Sequence, residues 1–467
     1  MKNFRLLSLL LVVSVLQFIS AKAAVRLPSI YSSHMVLQQN SKMTFWGWAA
    51  PSESIEIQFS WNGKTEKVTA TRDAKWQIQI NTPAAGGPFT ISFKASNTIV
   101  LEDVMIGEVW LCSGQSNMEW SSLNGNKQAI EEVPQANNPN IRLFNVPKTT
   151  ANYPQDDCYA SWKTCTPEEM KSFSAVGYFF GKKLQKDLNV PIGLINASWG
   201  GTAAEVWTPA PVIEQSVEFK QALALSGATP WWPIDAGKAY NAMIAPLTQY
   251  TIAGALWYQG ESNTSKAESY SRLFTDMIKS WRKAWDIDFP FYYVQIAPFT
   301  YGTPFEGALL REAQTKSMWL PKTGMVVISD LVDNIQDIHP QNKVDVATRL
   351  ANWALAETYG KKSIIYRSPQ YKAMRVEGTR IVVQFDFAPS GLISKNGAIM
   401  GFEVAGDDRQ FYPATAVIEG SNVILTCPQV KVPAAIRFGF SNTSMPNLFS
   451  KEGLPVDMFR TDGWPVK

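Results

Sequence analysis

Between about residue 26 and residue 100 the chain alternates apolar and polar positions with a period of two. In KWQIQIN, Trp76, Ile78 and Ile80 fall on one face and Gln77 and Gln79 on the other, the pattern of a half-buried strand. The aromatic and β-branched runs MTFWGWA and SIEIQFSW read as strands too, and Asn62-Gly63 between such runs signals a hairpin turn. Residues 24–102 are therefore expected to form a small β-sandwich-like module.

From about residue 103 the period changes. VMIGEVWLC, VPIGLINAS, TIAGALWYQ, PFYYVQIA and GMVVISD are apolar throughout, which fits strands of a parallel sheet covered on both faces. They alternate with segments of helical spacing: SAVGYFFGKKLQKDL, ESYSRLFTDMIKSWRKAW, a stretch near 309–317, and NKVDVATRLANWALAETYG. Residues 103–362 thus read as a doubly wound α/β domain. The remainder, 363–467, returns to strands (RIVVQFDF, NVILTCPQV, AIRFGFSN) broken by Gly, Pro and Asn, with no long linker before it. This C-terminal β region is expected to pack on the central domain.

The first 23 residues stand apart. Lys2 and Arg5 precede an uncharged, mostly apolar run from Leu6 to Ile19, and Ala21-Lys22-Ala23 fits small-residue cleavage. That is the layout of a secretory signal peptide, too short in its apolar run for a membrane span, and it implies a secreted or periplasmic protein. No later segment has the length of a membrane span. Removing the leader also removes three basic residues and no acidic ones, leaving equal numbers of each among 43 Lys+Arg and 40 Asp+Glu. Nothing in that balance calls for nucleic acid or an anionic membrane as partner. The four cysteines, Cys112, Cys158, Cys165 and Cys427, lack zinc spacing. In an oxidising compartment Cys158 and Cys165 are close enough in sequence to pair, while Cys112 reads as a buried strand residue.

Ligands of open α/β sheets bind beyond the carboxyl ends of the strands. Those ends here are SGQSNM, SWGGTAAEVW, YQGESN and DNIQDIHP. The first offers Ser116 as a nucleophile, which needs a base to take its proton. The chain has two histidines, His34 in the N-terminal module and His339 in the central domain. If Ser116 is a nucleophile, His339 is its partner.

Taken together, GEVWLCSGQSNMEW, NASWGGTAAEVWTP, NAMIAPL, ALWYQGESN and DIHPQNK resemble the sialate O-acetylesterase family, a branch of the SGNH-type serine hydrolases. The resemblance runs through nearly the whole chain after the leader. It implies Ser116 as nucleophile, His339 as general base, and an oxyanion hole built from the Ser116 N–H, the Gly200-Gly201 turn and the Gln259 amide. Two positions depart from the wider SGNH pattern. Gln336 stands where an aspartate is expected three residues before the histidine, leaving Asp337 as the choice for orienting the imidazole, with Asp333 or a Ser–His dyad as alternatives. In the third block an asparagine is expected, and the chain offers Gln259 or Asn263.

Seventeen tryptophans are many, and Trp231 and Trp232 sit in a Pro/Gly-punctuated loop suited to stacking on a sugar. Trp120 and Trp207 read as supports of the serine and glycine segments. Arg311 and Gln314, in LREAQT, are candidates for facing the cleft. The expected activity is removal of O-acetyl groups from sugars through an acetyl-serine intermediate, with no metal or organic cofactor. O-acetylated sialic acid is the first substrate and acetylated polysaccharide such as xylan the second. The competing class is a non-catalytic carbohydrate-binding protein, for which neither Ser116 nor His339 is required. The sequence leaves the oligomeric state open.

Overall fold

The computed structural model describes residues 24–466, so the expected signal peptide lies outside the described residues. The fold is mixed α/β around a central, mostly parallel sheet. Its strands are β1 (Thr98–Gly114), β2 (Asn138–Asn145), β3 (Trp162–Cys165), β4 (Ile192–Ser198), β5 (Gly254–Tyr258), β6 (Phe291–Val294) and β7 (Thr323–Val326). Their spatial order is β7-β6-β5-β1-β4-β2-β3, parallel everywhere except the β2–β3 edge.

The unbroken apolar runs are explained by the two cores. Val109, Leu111, Ile195, Ala255, Trp257, Phe291 and Tyr293 point to one side. Trp110, Cys112, Leu194, Leu256, Tyr258, Tyr292 and Val294 point to the other. Successive strand residues face opposite ways, so a sheet buried on both sides must be apolar at every position. Helices α2 (Ala267–Trp285) and α3 (Glu306–Lys316) cover the first side, and α1 (Ala175–Leu188) and α4 (Lys343–Trp353) the second.

β1 is 17 residues long and crosses the boundary that composition suggests near residue 102. Its first half pairs with Gly86–Lys94 of the N-terminal module and with Val36–Gln38, and its second half lies between β4 and β5. One strand therefore belongs to both regions, and the hydrophobic core of the first module is continuous with one side of the central sheet. The Asn62-Gly63 turn joins Ser54–Phe59 to Thr65–Thr69 as the sequence suggests.

The C-terminal region holds two four-stranded antiparallel groups around their own core. It is fastened to the sheet domain by polar contacts. Arg460 donates from Nε and Nη2 to the two oxygens of Glu312 at 3.0 Å, and buried Asp457 accepts from Gln295 and Thr315 at 2.9 Å. All four cysteines are buried and free, so the Cys158–Cys165 pairing considered from sequence is absent.

Candidate active site

The ladder register sets the site. Gly114 at the end of β1 lies level with Ser198 of β4 and Tyr258 of β5, so three loops leave the sheet side by side. Gly114 has φ +135°, and a Cβ there would run into the Tyr258 backbone. The chain can therefore turn sharply beside β5 only with glycine at this position. Beyond Gln115, Ser116 opens a one-turn helix, Ser116–Glu119. A fourth loop follows β7 and carries His339 ahead of α4, whose N-terminus is capped by the Asn342 side chain accepting from the Asp345 N–H at 3.0 Å.

These loops bring Ser116 Oγ to 2.9 Å from His339 Nε2. The imidazole stacks on Trp120, ring centroids 4.2 Å apart and planes 17° apart, which fixes its orientation. Burial, and then the nearby Lys343, hold the His339 pKa below the ordinary imidazole value, while Asp337 acts the opposite way. Asp337 Oδ1 lies 3.6 Å from His339 Nδ1, but its hydrogen bond goes to the His339 backbone N–H at 2.9 Å. Asp337 thus shapes the histidine turn first and meets the ring only by charge. Asp333 is exposed and has no hydrogen-bond or ion-pair partner among the described residues. Gln336 donates to Thr300, away from the ring.

Ser116 and His339 open onto a cavity of about 510 Å³ lined also by Gln115, Glu119, Trp199, Gly201, Trp231 and Trp232. Gly201 has φ +80° and sits flat against the Trp232 indole, where a side chain would collide. The Ser116 and Gly201 N–H groups have no hydrogen-bond acceptor among the described residues. The Gly200 N–H is spent on Glu119 Oε2, whose other oxygen binds Lys148 at 2.6 Å.

Two expected participants are elsewhere. Gln259 is wholly buried behind the cavity. Its amide nitrogen donates to the Thr202 carbonyl at 3.2 Å and to Asn263 Oδ1 at 2.7 Å, so no N–H is left for a ligand. Asn263 is also turned inward, donating to Glu205 at 2.8 Å and accepting from the Ala204 N–H and from Gln259. Arg311 is buried against the C-terminal region, where it donates to the Ser441 carbonyl, and Gln314 bonds backbone groups of the sheet. Periodicity could not separate a cleft-facing position on α3 from one facing the C-terminal region.

Sequence reasoning missed Gln115. The Gly260 and Ser262 N–H groups both point at its Oε1 at 3.3 Å, which fixes the carboxamide and leaves its NH2 without a partner among the described residues. Position immediately before the serine was the available signal. Also missed was a buried polar chain beneath the serine, Lys343–Asn117–Glu261. Lys343 Nζ donates to Asn117 Oδ1 at 2.6 Å, and Asn117 Nδ2 donates to Glu261 Oε1 at 2.6 Å. Burial raises the Glu261 pKa and draws that of Lys343 down to about 7. No cluster of three or more His, Cys, Asp or Glu among the described residues is placed to hold a metal, and none of the described helices is long and apolar enough to cross a membrane.

A strand-end serine bonded to a histidine, beside unpaired backbone N–H groups in an open cavity, is the equipment of an acyl-transfer hydrolase. Comparison with known proteins agrees. Residues 106–356 match the family model described as carbohydrate esterase, sialic acid-specific acetylesterase. The sialate O-acetylesterases of Homo sapiens and Pongo abelii are each 31% identical over 392 residues, covering 75% of this chain and 74% of theirs. A carbohydrate acetylesterase from Xanthomonas citri superposes with a TM-score of 0.86 at 37% identity, covering 94% of this chain and all of that one. The chain belongs to the sialic acid-specific acetylesterase family of carbohydrate esterases.

Proposed function

We propose that this carbohydrate O-acetylesterase works through Ser116 and His339 in an SGNH-like arrangement, with O-acetylated sialic acid as the first substrate and acetylated polysaccharide the second. The carrying observation is the 2.9 Å contact between Ser116 Oγ and His339 Nε2 on the cavity wall. Neutral His339 takes the Ser116 proton as Oγ bonds to the acetyl carbon. The carbonyl oxygen then gains the charge, and the Ser116 and Gly201 N–H groups and the Gln115 NH2 are the donors available to it. Such donors are typically worth a few kcal/mol each because they are fixed before the charge forms.

The C–O bond to the sugar breaks, and His339 returns its proton to the departing sugar oxygen. Water enters next, loses a proton to His339, and attacks the acetyl-serine. The Oγ–acyl bond breaks, His339 passes the proton taken from water to Oγ, and acetate leaves with the Ser116 hydroxyl restored. Asp337 favours the imidazolium in both steps by charge rather than by a ring hydrogen bond. The exposed indoles of Trp231 and Trp232 offer faces for the sugar. An expected signal peptide would deliver this activity outside the cytoplasm.

The test is acetate release from O-acetylated sialic acid, acetylated xylan and simple acetylated hexoses by wild-type protein and Ser116→Ala. Release from at least one sugar by the wild type, lost in the folded variant, supports the reading. Equal release by both removes the serine mechanism. Glycan binding without release would return the protein to the binding class.

A further inference from the structure

Lys343 has no place in the hydrolysis just described, yet its ammonium group is fully buried at the start of α4, directly under the site. A buried amine is costly unless its hydrogen bonds and charge are used. Among the described residues its side chain makes one hydrogen bond, to Asn117 Oδ1 at 2.6 Å. The Asn117 nitrogen donates onward to Glu261 Oε1 at 2.6 Å and to the Ile338 carbonyl at 3.0 Å. Asn117 is the neighbour of Ser116, and Ile338 the neighbour of His339. One carboxamide therefore spans the two segments that must hold Oγ and Nε2 together, and Lys343 anchors its oxygen.

We propose that Lys343 is a positioning residue for ester hydrolysis, acting through Asn117 to hold the Ser116 turn against the His339 loop. The inference rests on the serine reading above. A second role follows from its charge. Lys343 Nζ is 6.0 Å from the Trp120 ring centre and 5.3 Å from that of Tyr258, and Trp120 stacks directly on His339. The ionisable side chains that face this group are Glu261, Asp337, His339 and Tyr258, the last kept neutral by its burial. The two carboxylates favour the charged ammonium against the burial that draws its pKa down to about 7, and below that pH the ammonium opposes a proton on His339, which keeps the imidazole free to act as a base.

The experiment compares Lys343→Met, Asn117→Ala and the double variant, with Ser116→Ala as reference, on nitrophenyl acetate from acidic to neutral pH. Lys343→Met is expected to lower kcat by about 10- to 100-fold at nearly constant KM and to move the acidic limb of kcat/KM to higher pH. Asn117→Ala should lower kcat comparably without moving the limb, because the cation stays. The double variant should be little worse than the poorer single one, since both cut the same tie. Unchanged kcat in folded Lys343→Met, a loss confined to KM, an unmoved limb or fully additive losses would each overturn the proposal. Should Lys343→Met not fold, unchanged kcat in Asn117→Ala overturns it and a lowered kcat at constant KM upholds it. An active Ser116→Ala would instead bring down the serine reading itself.

Discussion

The protein has two histidines, and each stands beside an aspartate. By distance alone the better pair is not the one proposed to act in catalysis. His34 Nδ1 is 2.7 Å from Asp103, whereas His339 Nδ1 is 3.6 Å from Asp337. The corner at His34 is nevertheless a structural joint. Asp103 is gripped at both oxygens by Arg142, whose side chain is buried, and His34 itself sits at φ 70° on an open surface. His339 is clamped on Trp120 and faces a serine and unpaired N–H groups in a cavity. An Asp–His contact is cheap to build. What distinguishes a catalytic histidine is a nucleophile on its other nitrogen and a cradle for the charge that nucleophile creates.

Replacing the groups one at a time sharpens that contrast, and the largest effect belongs to the reacting pair. Ser116→Ala and His339→Ala should each lower kcat for an acetyl ester by about a thousandfold or more. His34→Ala should leave it within about twofold, since neither His34 nor its partners Asp103 and Arg142 line the cavity. Steady-state rates on folded protein, checked by circular dichroism, decide this. A silent His339→Ala, or a dead His34→Ala, would invert the assignment.

Next comes the cradle. Gly201→Ala must hold φ +80° and push against the Trp232 indole, so its N–H should leave its present direction. The expected loss is about 10- to 100-fold in kcat, with the melting temperature little changed. Gln259→Leu tests the converse. Because Gln259 bonds Thr202, Asn263 and Tyr270 rather than the cavity, it should destabilise the fold by about 1–3 kcal/mol while the surviving enzyme turns over normally. Loss of turnover without loss of stability in Gln259→Leu would restore it as an oxyanion donor.

The two aspartates should separate by kind of effect. Asp337→Asn is expected to cost about tenfold in kcat, far less than a triad acid bonded squarely to its ring. Asp103→Asn should leave kcat unaltered and lower stability by about 1 kcal/mol, by weakening a partly exposed pair around Arg142. Chemical denaturation and kinetics on the same samples read both. A collapse of kcat in Asp337→Asn would mean that the carboxylate swings onto the imidazole when substrate binds.

Much of this was written in the chain in short-range form. Unbroken apolar runs mark strands covered on both sides, and a polar segment after each marks a sheet edge where ligands bind. Ser116 and His339 follow from that logic because a nucleophile needs a base and the central domain has only one histidine. Gln259 and Arg311 did not, for a common reason. One is a polar residue inside a strand-end motif and the other a polar residue on a helix beside the sheet, and the sequence does not say which way either side chain points. Gln259 turns inward because Thr202, Asn263 and Tyr270 supply its bonds, and those partners come from three different segments. Lys343 was hidden likewise, since a lysine at a helix start reads as solvated until α4 is seen to begin against the underside of the serine turn. The continuity of β1 through both regions was also unreadable, because its exposed first half and buried second half have different compositions.

The smallest expected effect is a displacement on the pH axis, and it tests whether Asp337 reaches His339 through space. In the proposed mechanism the neutral imidazole is the base, so kcat/KM should fall as pH drops through the His339 pKa. Burial and Lys343 lower that pKa and Asp337 raises it, with burial the largest influence. The acidic limb should therefore lie below the ordinary imidazole value of about 6.5. Removing the Asp337 charge in Asp337→Asn takes away the one group that favours the imidazolium, so the limb should move to still lower pH. Lys343→Met should move it the other way. Opposite displacements from two residues on the same histidine loop and helix start cannot come from general loosening, which would expose the ring and raise its pKa in both variants. If Asp337→Asn moves the limb upward instead, its carboxylate acts by holding the backbone turn at the His339 N–H, and the 3.6 Å approach to the ring carries no charge coupling.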